Sequence, residues 1–66
     1  MNLVLQPDQK ADVVARAEAQ FAEGAYEDAL NSFLSAASLD SMDLTARTNA
    51  AVCLERLGRW TEAADL

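Results

Sequence analysis

The segments GAYEDAL, residues 24–30, and GRWTEAA, residues 58–64, carry the pattern that decides the fold. In both, a glycine is followed at the second position by an aromatic residue and at the fifth by an alanine. An offset of 34 residues separates the members of each pair: Gly24 and Gly58, Tyr26 and Trp60, Ala29 and Ala63. This fixed offset predicts that one turn and one helix start occur twice in the chain.

Helical periodicity surrounds the first glycine. The 66 residues include one proline and two glycines, and no run of alternating β-branched residues competes with a helical interpretation. A first helix is predicted to begin at Pro7-Asp8 and to end at Gly24. A second is predicted over residues 26–39, with an apolar stripe of Tyr26, Ala29, Leu30, Phe33, Leu34 and Ala37.

The second glycine, Gly58, is also predicted to lie between two helices. A third helix is predicted over roughly residues 42–57, with Ser41 as its N-cap and Ala50, Ala51, Leu54 and Leu57 on its apolar side. Gly58 ends it, and a fourth helix begins at Trp60 and is cut short at Leu66. Short connections make successive helices antiparallel neighbours. The predicted fold class is therefore all-α, built from helix-turn-helix hairpins.

A 34-residue period with two helices per unit resembles the tetratricopeptide repeat (TPR) family. The resemblance implies a lead-in at residues 1–9, one repeat at 10–43 and an incomplete second repeat at 44–66, stacked as a short α-solenoid. Ala17 and Ala51 match the small positions of helix A, and Trp60 matches a position that packs between helices. The chain departs from the family pattern at Val13 and Arg47, where a large apolar residue is usual.

In this family the A helices line a concave groove that holds a peptide or helix. By position, the resemblance implies a groove of Val14, Glu18, Phe21 and Ala22 from the first copy, and Thr48, Asn49, Val52, Glu55 and Arg56 from the second. Asn49 matches one asparagine of repeats that grip a C-terminal carboxylate. Glu18 and Val14 replace the other asparagine and the lysine of that clamp, so we expect carboxylate binding to be lost.

An incomplete second repeat leaves an apolar side uncovered, since about three repeats are usually needed for stability. We therefore expect either a piece of a longer repeat protein or a chain that associates with itself. A homo-oligomer is expected to bury Leu54, Leu57, Trp60 and Ala63.

Composition narrows the function classes. Eleven acidic and five basic residues give a net charge of −6, which disfavours nucleic acid and anionic membranes and favours protein or peptide partners. Histidine is absent, and the single cysteine, Cys53, has apolar neighbours and no base beside it, so we expect no enzyme, cofactor or metal site.

The opening MNLVLQPDQ does not read as a signal peptide or membrane span, and a lone thiol favours the cytoplasm or nucleus.

A second resemblance concerns LDSMDL, residues 39–44. It is similar to the short signature of acyl and peptidyl carrier proteins, in which a serine at a helix start receives a phosphopantetheine arm. Ser41 is the residue that this alternative implies is loaded. The alternatives to a binding scaffold are therefore a carrier loaded at Ser41 and a self-assembling helical element.

Overall fold

The computed structural model of the chain describes residues 7–66, with side chains from residue 9 onward. Four helices make up this part: α1 (Pro7–Ala22), α2 (Tyr26–Leu39), α3 (Leu44–Arg56) and α4 (Trp60–Asp65). Each helix packs against the next one along the chain. The predicted all-α fold is confirmed for these residues. Of the predicted lead-in, residues 1–6 lie outside the described part, and α1 already includes residues 7–9.

The two glycine turns have the same backbone structure. Gly24 and Gly58 both adopt a positive φ, 82° and 78°. The amide after each glycine donates to a carbonyl five residues earlier: Ala25 N to Gln20 O at 2.9 Å, and Arg59 N to Leu54 O at 2.8 Å. These are the bonds of a Schellman motif, which ends a helix with glycine in the left-handed region. The 34-residue sequence offset is thus also an offset between two equivalent turns.

Small residues let the helices approach closely around a thin core. The buried apolar side chains are Ala17, Ala29, Leu30, Phe33, Ala36, Ala46, Ala50, Cys53 and Leu54. Phe21, Leu57 and Ala63 pack against this core from its edge. The described chain is correspondingly flat, with extents of 44 × 24 × 13 Å. Two expectations are wrong: Leu34 is 40% exposed rather than part of the core, and the fully buried alanine of α3 is Ala50, whereas Ala51 is half-buried.

Trp60 does not pack between helices, contrary to the expectation from its position. It is 65% exposed, whereas its counterpart Tyr26 lies edge-on against Phe21 with ring centroids 5.0 Å apart. The residue 34 positions after Phe21 is Glu55, which is exposed. Trp60 therefore has no equivalent of the ring of Phe21, against which Tyr26 packs.

The start of α3 also differs from the prediction. Asp43, not Ser41, is the N-cap, and its carboxylate accepts a hydrogen bond from the Ala46 amide at 3.1 Å. Ser41 lies exposed in the preceding turn, which is closed by a bond from Asp43 N to Asp40 O at 3.0 Å. A carboxylate at this position also interacts favourably with the positive N-terminal end of the helix dipole. The helix consequently begins at Leu44, two residues later than expected.

Two clusters of ion pairs connect segments that are distant in sequence. Lys10 near the start of α1 contacts Asp40 at 3.1 Å and Asp43 at 2.5 Å, which ties α1 to the α2–α3 turn. Arg59 in the α3–α4 turn contacts Glu27 at the start of α2 and Glu62 in α4, at 3.2 and 2.7 Å. The pairs of Arg59 are largely exposed and the Lys10–Asp43 pair is partly buried. Surface ion pairs contribute little, so both clusters add to helix packing rather than replace it.

Candidate binding cleft

A cleft of about 180 Å³ opens between α1 and α3. Its lining comprises two residues from each of these helices and one from α2: Glu18, Phe21, Asn49, Val52 and Phe33. We call this set the α1–α3 cleft. It combines three apolar side chains with one carboxylate and one carboxamide, which is the kind of lining that small ligand sites have.

Helical spacing places each lining residue. Glu18 and Phe21 are three positions apart on α1, and Asn49 and Val52 are three apart on α3, so each pair projects from one face of its helix. Phe33 of α2 is only 3% exposed and forms the floor between the two helices. The cleft is therefore built by three successive helices, with α2 beneath α1 and α3.

Contacts on two sides fix the ring of Phe21. Tyr26 lies edge-on against it at 5.0 Å, and the guanidinium of Arg56 lies 5.6 Å from its centroid. The first contact comes from the start of α2 and the second from the end of α3. A cation over an aromatic face is attracted by the ring quadrupole. The apolar wall of the cleft is thus held in place before any ligand arrives.

The cleft carries a free negative charge. Among the described residues, the ion pairs connect Lys10 with Asp40 and Asp43, and Arg59 with Glu27 and Glu62. Glu18 belongs to neither cluster and is exposed at the rim. Its carboxylate is consequently available to a cationic or hydrogen-bond-donating group of a ligand.

Of the nine residues predicted to form a groove, the structure brings four together in the cleft: Glu18, Phe21, Asn49 and Val52. Arg56 borders it through Phe21. The other four do not line it: Val14 is half-buried, and Ala22, Thr48 and Glu55 are exposed. Phe33 was assigned to the core alone. Its second role follows from the packing of α2 against both α1 and α3.

The four residues expected in self-association are in different environments. Leu54 is 4% exposed and belongs to the core, while Leu57 and Ala63 are half-buried against it. Only Trp60 is largely exposed. A second hollow, of about 360 Å³, lies between α2 and α4, and Leu54 is among its lining residues.

The other reactive groups, Ser41 and Cys53, do not line the cleft. Ser41 is exposed in the α2–α3 turn, where its backbone carbonyl accepts a hydrogen bond from Arg47 Nη2 at 3.0 Å. It therefore does not stand at a helix start, as the carrier resemblance implies. Cys53 is buried in the core, and burial raises the pKa of its thiol, which keeps it in the unreactive form.

Comparison of the chain with models of protein families, with curated proteins and with solved structures found no match. None of the four described helices is long and apolar enough to cross a bilayer. The geometry of the described residues is therefore the basis for assigning a function.

Proposed function

We propose that this chain is a non-catalytic protein-interaction module that binds a peptide segment in the α1–α3 cleft. In this proposal the two hairpins stack as TPR-like repeats, with α1 and α3 as the A helices. The observation that carries it is the convergence of Glu18, Phe21, Asn49 and Val52 from two separate helices on one apolar floor.

The chemistry of the cleft suits an extended peptide. Phe21, Val52 and Phe33 offer an apolar surface for one side chain, and the Asn49 carboxamide offers both a donor and an acceptor to a peptide backbone. The repeated turns support the TPR-like arrangement, because equivalent turns inside the two hairpins join their helices in the same way. The buried thiol and the position of Ser41 give no comparable support to catalysis or carrier function.

A display library of random 12-residue peptides, selected against the immobilised protein, tests this proposal. An enriched peptide is then titrated into ¹⁵N-labelled protein. We expect the largest amide shifts at Glu18, Phe21, Asn49 and Val52. Shifts confined to the hollow between α2 and α4 would contradict the proposal, as would failure to enrich any peptide.

Two asparagines provide a matched pair of variants. Asn49→Ala removes the amide from the cleft, whereas Asn31→Ala removes an exposed amide of α2 beside the other hollow. We expect Asn49→Ala to weaken the selected peptide by roughly 2- to 10-fold, the value of one hydrogen bond, and Asn31→Ala to leave it unchanged. Circular dichroism verifies that both variants fold. Equal weakening by the two variants would place the peptide elsewhere.

A further inference from the structure

The α1–α3 cleft has two chemically different parts. Phe21, Phe33 and Val52 form an apolar floor, and Glu18 places a carboxylate on the rim. We infer that the cleft selects a peptide segment in which one apolar side chain is flanked by lysine or arginine. The apolar side chain lies on the floor, and the cationic group pairs with Glu18. This inference rests on the proposed function and adds the charge and size of the ligand to it.

The volume of the cleft sets the size of the apolar group. A cleft of about 180 Å³ has room for one large aliphatic or aromatic side chain rather than for several. The floor residues are held by the core, since Phe33 is 3% exposed and Phe21 contacts Tyr26 and Arg56. A single anchored side chain therefore accounts for the apolar part.

The charge of Glu18 determines which ligand residue is favoured next to the apolar anchor. Glu18 has no ion-pair partner among the side chains described, those of residues 9–66, whereas Lys10 and Arg59 each pair with two carboxylates. The net charge of −6 also attracts cationic segments at long range and repels a second copy of this chain. An acidic ligand would instead be repelled by the Glu18 carboxylate on this side of the anchor.

Arg56 supplies the opposite charge at a different point. Its guanidinium lies over Phe21, which is one helical turn beyond Glu18 on α1. A cation on the ligand is therefore attracted at the Glu18 side of the anchor and repelled at the Arg56 side. The cleft thus favours one direction of the peptide as well as one charge.

Two synthetic peptides with blocked ends test the inference. The first is acetyl-Gly-Lys-Leu-Gly-Gly-amide, and the second has glutamate in place of the lysine. Each is titrated to millimolar concentration into ¹⁵N-labelled protein. Because an exposed ion pair contributes little, we expect the lysine peptide to bind about two- to five-fold more tightly at low salt. This preference should shrink in 0.5 M NaCl.

Variants of two glutamates separate the local charge from the overall charge. Glu18→Gln should abolish the preference for the lysine peptide, and Glu18→Lys should reverse it. Glu55→Gln makes the same change in net charge at an exposed position of α3 outside the cleft, and it should leave the preference intact. Both residues are exposed, so these variants are expected to fold.

The outcomes distinguish this inference from the proposed function. Equal affinity of both peptides, with shifts at the cleft amides, overturns the charge selection and leaves peptide binding in the cleft intact. Loss of the preference in Glu55→Gln as much as in Glu18→Gln also overturns it. Absence of cleft shifts with either peptide contradicts the proposed function itself.

Discussion

The guanidinium of Arg56 lies over the ring of Phe21, 5.6 Å from its centroid, and joins the end of α3 to the last turns of α1. Because Phe21 also walls the cleft, this contact couples the stability of the fold to the shape of the candidate site. Arg56→Gln is expected to lower the free energy of unfolding by about 0.5–1 kcal/mol, the value of an exposed cation–π contact.

A double-mutant cycle with Phe21→Leu measures that contact directly. Urea unfolding of the two single variants and the double variant should give an interaction energy of the same size. Additive effects of the two substitutions would mean that the ring and the guanidinium do not interact in solution.

The two glycines should respond alike to substitution. Gly24→Ala and Gly58→Ala place a side chain at φ values of 82° and 78°, and the added methyl group meets nothing within 4 Å. The cost is therefore backbone strain alone, about 1–2 kcal/mol at each site by urea unfolding. Asparagine, which tolerates this region better, should cost less at both positions. A large difference between the two alanine variants would contradict the equivalence of the turns.

Capping of α3 distinguishes Asp43 from Ser41. Asp43→Ala removes both the bond to the Ala46 amide and an ion pair with Lys10, so the melting temperature should fall. Ser41→Ala should leave it unchanged, because its side chain does not cap the helix. Asp43→Asn keeps a capping oxygen without the charge and should lie between the two. A larger effect at Ser41 would restore the expectation drawn from the sequence.

Acid should weaken the contact between α1 and the α2–α3 turn. Hydrogen bonds from Lys10 hold the pKa of both Asp40 and Asp43 below the ordinary value of about 3.9. A depressed carboxyl pKa contributes stability that is fully present above the unfolded-state pKa and is lost as pH falls through the folded-state value. Melting temperature should therefore decline below about pH 4.

Lys10→Gln isolates this effect. It should lower the melting temperature at pH 7 and flatten the acid decline, because both aspartates lose their partner. The pKa of Lys10 itself is raised by the same two carboxylates, so its contribution is lost only at alkaline pH above its ordinary value. Parallel pH profiles of wild type and Lys10→Gln would show that the ion pairs do not stabilise the fold.

An aromatic residue at position 55 should complete the second copy. Glu55→Phe places a ring five residues before Trp60, which is 65% exposed, just as Phe21 stands five residues before Tyr26. We expect a blue shift in Trp60 fluorescence and a gain of about 0.5–1.5 kcal/mol in stability. Trp60 is the only tryptophan, so its emission reports on this site alone. Glu55→Ala is the control and should not shift it.

Much of the fold was predictable from the sequence because it rests on local chemistry. Glycine is the residue that adopts a positive φ without strain, so Gly24 and Gly58 indicated both helix ends and the offset between them. Apolar residues at helical spacing indicated Ala29, Leu30 and Phe33 as core. Of the cleft, Glu18, Phe21, Asn49 and Val52 were predicted from the resemblance to tetratricopeptide repeats.

Tertiary structure decided the exposure of Trp60 and the N-cap of α3, because the environment of a residue there depends on side chains from another helix or turn. Trp60 is exposed because Glu55, not a second aromatic ring, stands at the position equivalent to Phe21. Asp43 rather than Ser41 caps α3, in a turn where its carboxylate also contacts Lys10 of α1. The two glycines indicated where α1 and α3 end, because a positive φ is a local property, but contacts between helices determine which side chains remain exposed to meet a partner.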